Sequence, residues 1–236
     1  MNREKNKDRK KNLTDLFKAL DHYNISDLTA NHASVLSETG KSFFINQHQH
    51  LFNEINPSNL VEVDLTRPSL DSLKKVNKAG YIIHKYLHLS KSKPKYILHT
   101  HSHNAVAISC LKKGFDTELN QSSMRFFGTV KYFPYKGMVI DDKEGKSLAS
   151  ITDEKTNLIV LRNHGVIVLA QTVEELFHLT FHFEKCSSIQ LMLIQTTEKD
   201  ITRVKKRISL ITSKQHKSFG PVGKMSWKAV KRIISK

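Results

Sequence analysis

The chain has 236 residues, 39% of them hydrophobic, and a formal net charge of +16 at pH 7. This length fits one domain, or one domain with extensions, with enough apolar side chains for a sizeable core. No apolar run reaches the roughly 18 residues that a membrane-spanning helix needs, and the charged N-terminus lacks the apolar stretch of a secretory signal. The two cysteines, Cys110 and Cys186, do not indicate a disulfide framework. We therefore expect a cytoplasmic protein.

The positive charge is concentrated at the two ends of the chain. Residues 1–12 contain six basic and two acidic residues, and residues 203–236 contain eleven basic residues and no acidic one. We predict that residues 1–12 are a disordered basic tail, and that residues 13–236 form one domain that includes the basic segment 203–236. Basic ends attract anionic polymers or lipid surfaces. Specific nucleic-acid binding is not expected, because the chain has no recognisable nucleic-acid motif and little aromatic interleaving.

The apolar pattern predicts helices and strands in a mixed order. Predicted helices cover residues 13–22, 73–89, 104–113 and 172–194, and predicted strands cover 33–36, 43–45, 60–65, 95–101, 130–135, 138–140, 158–161 and 166–169. Thr172 and Glu175 have the spacing of a capping box, which marks the start of the longest helix. Because strands and helices do not alternate strictly, we expect an α/β fold in which helices cover a mostly antiparallel central sheet.

Three histidines form a candidate metal site. His99 and His101 are two residues apart at the end of a predicted buried strand, so their side chains should lie on one face. His164 is the natural third ligand, because it follows a second apolar strand and precedes Gly165. Zn²⁺ binds imidazole nitrogens at about 2.0–2.1 Å, and a catalytic zinc site has three protein ligands and one open position. The pattern predicts Zn²⁺ or another divalent transition metal.

These segments resemble the class II aldolase/adducin family, whose members carry a His-x-His strand end and, further along the chain, an Asn-His-Gly turn. Here the two motifs are His99-Thr100-His101 and Asn163-His164-Gly165. Further segments are similar to the adducin-like branch and its bacterial members: Val76–His84, Tyr132–Gly137, Thr172–Phe177, Gly220–Gly223 and Trp227. The resemblance implies a three-layer α/β/α sandwich around a mostly antiparallel central sheet, and it implies assembly as a cyclic homotetramer.

The resemblance also implies a chemistry, from which this chain departs. In the aldolases a divalent ion holds a keto-sugar phosphate and stabilises an enediolate, while a glutamate shuttles the proton. Gly80 stands in the place of that glutamate, Lys78 and Ala79 replace the neighbouring small residues, and His32 stands where many aldolases carry an asparagine of the phosphate site. His32, Lys78 and Tyr135 are therefore the candidate substrate-binding residues, although aromatic packing is the usual role of a tyrosine.

Since glycine cannot carry a proton, the proton carrier must lie elsewhere. The candidates, in no fixed order, are His103, Glu54, Glu184 and His84. His84 lies on the apolar side of a predicted helix, which favours a structural role, and His103 can simply cap the next helix. Glu184 can orient a ligand histidine or can face solvent.

Two functions therefore stay open. The first is a metal-dependent, lyase-type enzyme that acts on a small hydroxy-carbonyl, sugar-like substrate. The second is a non-catalytic, adducin-like oligomeric module whose basic ends bind an anionic partner. The helix over 172–194 is apolar on more than one face, so part of it must be buried under the C-terminal segment or against another subunit. His178 and His182 on this helix are expected at a core edge or subunit interface, with metal binding as the alternative.

Overall fold

The computed structural model describes residues 2–235. In chain order its regular elements are α1 (Asn2–His22), β1 (His32–Leu36), β2 (Ser42–Ile45), β3 (Val61–Asp64), α2 (Leu70–Lys75), α3 (Lys78–His88), β4 (Tyr96–Thr100), α4 (His103–Cys110), β5 (Val130–Phe133), α5 (Asp142–Ser150), β6 (Leu158–Leu161), β7 (Gly165–Ala170), α6 (Val173–Met192), α7 (Lys206–Ser218) and α8 (Lys224–Ile234). Short 3₁₀ helices cover Phe52–Glu54, Ser123–Phe126 and Glu198–Asp200. None of the helices in this part of the chain is long and apolar enough to span a membrane.

The strands form one sheet in the order β3-β2-β1-β4-β7-β6-β5. Every neighbouring pair is antiparallel except β5 and β6, which are parallel. The predicted mostly antiparallel sheet is thus confirmed. The centre of the sheet consists of β1, β4 and β7, and the candidate metal ligands lie at one end of β4 and β7.

Helices cover both faces of the sheet, which confirms the three-layer sandwich. Alternate side chains of β4 enter opposite cores: Tyr96 and Leu98 join the cluster that includes α1, α4, α6 and α8, whereas Ile97 joins the cluster formed with α3 and α5. All five residues of β4 are buried. Because His99 is two residues after Ile97, its side chain lies on the α3 face.

The prediction of a disordered tail is wrong for residues 2–12, which belong to α1; Met1 lies outside the described residues. The helix is held against the turn after β1. Lys5 Nζ lies 2.9 Å from Glu38 Oε1, Arg9 contacts the Leu36 carbonyl and the Glu38 carboxylate, and Asn6 Oδ1 accepts the Glu38 amide at 2.8 Å. A single carboxylate thus pairs with two of the basic side chains that were expected to be solvated.

Two other predicted elements differ from the structure. The helix expected over 73–89 is divided into α2 and α3 at Val76 and Asn77, which are both extended, and Asn77 Oδ1 caps α3 by accepting the Gly80 amide at 3.0 Å. The strand expected at 138–140 is an irregular segment in which Met138 is exposed. Apolar periodicity did not detect the asparagine cap, because capping depends on a local hydrogen bond.

Candidate metal centre

The ends of β4 and β7 bring the three predicted metal ligands together. The register of this antiparallel pair places Thr100 opposite Val166, so His101 and His164 leave the sheet side by side. His101 Nε2 lies 2.8 Å from His99 Nε2 and 2.9 Å from His164 Nε2. One ligand nitrogen from each ring lies within 4.8 Å of the others. The structure thus gathers the residues that the sequence predicted as a group.

Hydrogen bonds to the other ring nitrogens fix which atoms of His99 and His101 face the centre. His99 Nδ1 donates to the Val166 carbonyl at 2.9 Å, and His101 Nδ1 donates to Asp27 Oδ2 at 3.2 Å. A carbonyl and an ionised carboxylate can only accept, so both Nδ1 atoms carry the proton. When these rings are neutral, each Nε2 presents a lone pair to the centre of the group.

Burial keeps these imidazoles in the neutral form that a metal requires. It lowers the pKa of His99 well below its usual range, lowers the pKa of His101, and together with the neighbouring His101 lowers the pKa of His164 to about 4. The lone pairs of His99 and His101 therefore oppose each other at 2.8 Å with no proton to share. A cation between them removes that repulsion, and tetrahedral zinc would require its ligand nitrogens to be about 3.3 Å apart. The donor set fits a zinc ion after a small outward movement of the rings.

The turn that carries His164 depends on its neighbours in sequence. Asn163 has a left-handed backbone with φ of 57°. A Cβ atom at Gly165 would lie 2.5 Å from the Thr100 carbonyl oxygen, so only glycine allows β7 to approach β4 at this point. Ser109 of α4 supports the turn, because its hydroxyl accepts the His164 amide at 3.1 Å. The Asn-His-Gly motif is thus a backbone requirement as well as a source of one ligand.

Asp27 is the residue at this centre that sequence reasoning missed. It lies in the loop between α1 and β1, far from the histidines in sequence, and no motif marked it. Its carboxylate accepts a hydrogen bond from His101 Nδ1, which orients the ring and strengthens Nε2 as a ligand. Asn31 was also missed; its Oδ1 accepts the His101 amide at 2.9 Å.

Replacing Asp27 by alanine should weaken zinc binding about 10-fold. This is the lower end of the range for residues that orient metal ligands, and the Asp27 side chain is 46% exposed, so that water can partly replace it. Competition with a coloured zinc chelator measures the change. Asp21→Ala, an acidic residue of α1 that makes no contact with His101, should leave the affinity unaltered. Equal zinc affinity in the Asp27 variant and the wild type would show that the carboxylate does not support the site.

The structure separates the candidate proton carriers. Glu184 and His103 line one cavity of about 390 Å³, together with Ser102 and Asn104. The Glu184 carboxylate accepts hydrogen bonds from the Ser102 hydroxyl at 2.5 Å and from Asn104 Nδ2 at 3.0 Å, and burial raises its pKa. Glu54 is exposed and caps its own short helix, with Oε2 accepting the Leu51 amide at 2.7 Å. Glu184 is therefore linked to the metal-bearing segment through Ser102, which directly follows His101.

The candidate substrate-binding residues also lie in different surroundings. His32 is buried, and its ring centroid is 4.9 Å from that of His99. Tyr135 is 57% exposed and lines a very small cavity of about 10 Å³ beside His164. Lys78 is exposed at the first turn of α3, two residues before Gly80.

His84 and the pair His178/His182 make contacts typical of structural histidines. His84 is fully buried and lies between His32 and Ser34. Arg125 Nη1 lies 2.6 Å from His178 Nε2, so a cation already occupies the neighbourhood of that pair. This arrangement agrees with the interpretation that His178 and His182 belong to a core edge.

The chain is similar in sequence and in fold to known proteins. The sequence profile of the Class II Aldolase and Adducin N-terminal domain matches residues 11–191. An adducin-related protein of Schizosaccharomyces pombe is 36% identical over 177 residues, which are 72% of this chain and 54% of that protein, so the chain spans about half the length of this relative.

Two solved structures are similar along most of the chain. An aldolase II superfamily protein from Pseudomonas syringae has a TM-score of 0.87 and 25% identity, and the match covers 98% of this chain and 93% of that one. The L-fuculose 1-phosphate aldolase from Glaciozyma antarctica has a TM-score of 0.82 at 20% identity, covering 100% and 91%, which shows the shared fold. The profile match over residues 11–191 shows that the chain belongs to the class II aldolase and adducin family.

Proposed function

We propose that this protein is a metal-dependent, lyase-type enzyme that acts on a small hydroxy-carbonyl, sugar-like substrate. One observation carries the proposal: His99, His101 and His164 direct ligand nitrogens towards one point. In two of these rings a hydrogen bond from Nδ1 leaves Nε2 with a free lone pair. Three imidazoles form a catalytic type of site, because the fourth position is left for a substrate oxygen. A cytoplasmic location remains part of the proposal, and it is supported by both cysteines being free.

Each part of the site would have a separate role. Bound at the three histidines, a zinc ion would act as a Lewis acid towards a substrate carbonyl. Val166 and Asp27 hold two of the ligand rings in orientation. Glu184 and His103 are the proposed proton carriers, because both line the cavity that includes Ser102, the residue directly after His101. Position 80 has no role in proton transfer, since glycine has no titratable side chain.

Metal analysis of protein purified without chelators tests the first part of this proposal. We expect about one zinc ion per chain, as three-histidine sites provide. A screen of unphosphorylated and phosphorylated hydroxy-carbonyl compounds for retro-aldol, epimerase and dehydratase activity tests the second part, with chelator-treated protein as the control. Protein without bound metal would contradict the proposal, and so would turnover that a chelator does not affect.

We also propose that the protein assembles as a homotetramer, which leaves the metal site near a subunit boundary. Two observations support assembly. The cavity beside His164 is too small for a substrate, so a neighbouring subunit would be needed to form the rest of the site. The C-terminal segment covers only part of α6: Trp227 packs on Phe177 with ring centroids 5.4 Å apart, while Met192 at the other end is 76% exposed.

The assembly should be weaker at low ionic strength. The eleven basic residues of 203–236 would repel their counterparts in neighbouring subunits, and salt screens this repulsion. Sedimentation velocity at micromolar concentration, at low and at moderate salt, measures the effect. A monomer under both conditions would contradict the proposal.

A non-catalytic module that binds an anionic partner is the second candidate function. The structure brings the two basic ends together, because α1 packs against α8 and Lys231 Nζ lies 3.6 Å from Asp15. Phe219 and Met225 in the basic segment are 86% and 87% exposed. Basic surfaces with exposed apolar side chains bind anionic lipid. Salt-sensitive binding to phosphatidylserine vesicles, with phosphatidylcholine vesicles as the control and no bound metal in the protein, would favour this function over the enzyme.

A further inference from the structure

A row of buried, hydrogen-bonded side chains begins next to the candidate metal centre and continues along the sheet face under α3. His32 Nδ1 lies 2.7 Å from His84 Nε2, and His84 Nδ1 lies 2.5 Å from Ser34 Oγ. Ser34 Oγ lies 2.8 Å from His88 Nε2, and His88 Nδ1 lies 2.9 Å from the Pro94 carbonyl oxygen. All four side chains are at most 5% exposed.

The Pro94 carbonyl decides where every proton of this row lies. A carbonyl only accepts, so His88 Nδ1 carries a proton, and His88 Nε2 then accepts a hydrogen bond from the Ser34 hydroxyl. Because Ser34 has only one proton to donate, its oxygen accepts from His84 Nδ1. His84 Nε2 is then bare and accepts from His32 Nδ1. The last atom in the series, His32 Nε2, is left with a lone pair.

This assignment holds when the three imidazoles are neutral. Burial lowers the pKa of His88 to about 4, and it lowers the pKa of His84 well below its usual range. The contacts of the row involve imidazole, hydroxyl and carbonyl groups only, so no carboxylate within it stabilises an imidazolium.

The unprotonated nitrogen of His32 lies next to Gly80, beside the space that a side chain at position 80 would occupy. His32 is the register partner of His99, so both side chains lie on the same face of the sheet. A Cβ atom on Gly80 would be 3.0 Å from His32 Cδ2 and 3.2 Å from His32 Nε2. The imidazole therefore fills the space that a side chain at position 80 would need. His32 Nε2 has no hydrogen-bond partner among residues 2–235. The atom is also not fully buried, so a small molecule can reach it.

We propose that His32 is a specificity-determining residue that accepts, through Nε2, a hydrogen bond from a hydroxyl group of the substrate. The inference rests on the proposed metal centre and narrows its substrate class to hydroxy-carbonyl compounds that place a hydroxyl group, and not a phosphate, at His32. A fixed lone pair attracts an O–H donor and repels the acceptor oxygens of a phosphate. The hydrogen bonds through His84, Ser34 and His88 keep the proton of His32 on Nδ1, so that His32 Nε2 remains an acceptor.

Nitrogen NMR of the metal-free protein tests the fixed tautomer without any ligand. Long-range ¹⁵N–¹H correlation should show His32 protonated at Nδ1 and bare at Nε2. Ser34→Ala interrupts the row, so His32 and His84 should then populate both tautomers. A wild-type His32 protonated at Nε2 would overturn the proposal, because that atom would be a donor.

Calorimetry of the zinc-loaded protein with two metal chelators tests recognition of the hydroxyl group. Glycolohydroxamate differs from acetohydroxamate by one hydroxyl group, and a net hydrogen bond corresponds to roughly 2- to 12-fold tighter binding. We expect this preference in the wild type and its loss in His32→Leu. Ser34→Ala, which keeps the imidazole, should reduce the preference and serves as the second variant if His32→Leu does not fold.

The outcomes separate this inference from the function on which it rests. Equal affinity of the wild type for the two chelators, or a preference that persists in His32→Leu, would overturn the role of His32 while the metal centre stands. Protein that takes up no zinc in the preceding metal analysis would overturn the metal centre, and the recognition role would fall with it.

Discussion

Replacing His101 by alanine is expected to reduce bound zinc from about one ion per chain to background. His101 Nε2 is the central atom of the group, at 2.8 Å from His99 Nε2 and 2.9 Å from His164 Nε2. Two imidazoles remain in the variant, which is fewer than the three protein ligands of a catalytic zinc site. Atomic absorption of protein purified without chelators measures the loss, and any metal-dependent turnover should disappear with it.

His182→Ala is a matched control for this experiment. His182 is also a partly buried histidine, but its surroundings contain the Arg125 guanidinium, which disfavours a cation. Zinc content should be normal in this variant. Normal zinc content in His101→Ala as well would show that the three histidines do not form the metal site.

Gly80→Glu should destabilise the protein by about 1–3 kcal/mol, although glycine is normally a poor residue inside a helix. The gain in helix propensity is only about 1 kcal/mol. Opposing it, the new Cβ would approach His32 Cδ2 to 3.0 Å, and His32 cannot easily move because it belongs to a central strand and is hydrogen-bonded to His84. Steric overlap should therefore decide the sign. Urea unfolding of the metal-free protein measures the free energy change.

The same substitution in the His32→Ala background should cost less, because the ring that obstructs position 80 is gone. We expect the loss of unfolding free energy in the double variant to be smaller than the sum of the losses in Gly80→Glu and His32→Ala, by about 1 kcal/mol or more. Ala79→Glu, on the same helix but half-buried, controls for the added carboxylate. Additive effects of the two changes would show that His32 and Gly80 do not compete for one space.

The double variant also places a carboxylate beside the proposed metal site, where the family resemblance expects the acid/base residue. If position 80 alone limits aldol cleavage, metal-dependent cleavage should rise in the double variant and stay low in Gly80→Glu. Strong cleavage of sugar phosphates by the wild type would contradict the role that we assign to Gly80 and His32.

The sequence by itself determined the features that depend on local pattern. The two-residue spacing of His99 and His101 placed both rings on one side of a strand end, and the Asn163–Gly165 motif located the third ligand. Strand alternation and the left-handed backbone of Asn163 are local properties, whereas Gly165 is also needed for the close approach of β7 to β4. The irregular order of predicted strands and helices likewise predicted a mostly antiparallel sheet covered by helices.

Only the tertiary structure decided what lies around these motifs. Asp27 and His101 are 74 positions apart in sequence, so no local pattern could identify Asp27 as the hydrogen-bond partner of His101. Arg9 and Lys5 are about thirty positions from Glu38, so no local pattern could predict that residues 2–12 are helical and held in place. The competition between His32 and Gly80 arises from the packing of α3 on β1, and the direction of the hydrogen bonds through His84 and Ser34 is set by a carbonyl at Pro94. Hydrogen bonds and steric exclusion act over a few ångströms in space, and only the folded chain brings these atoms that close.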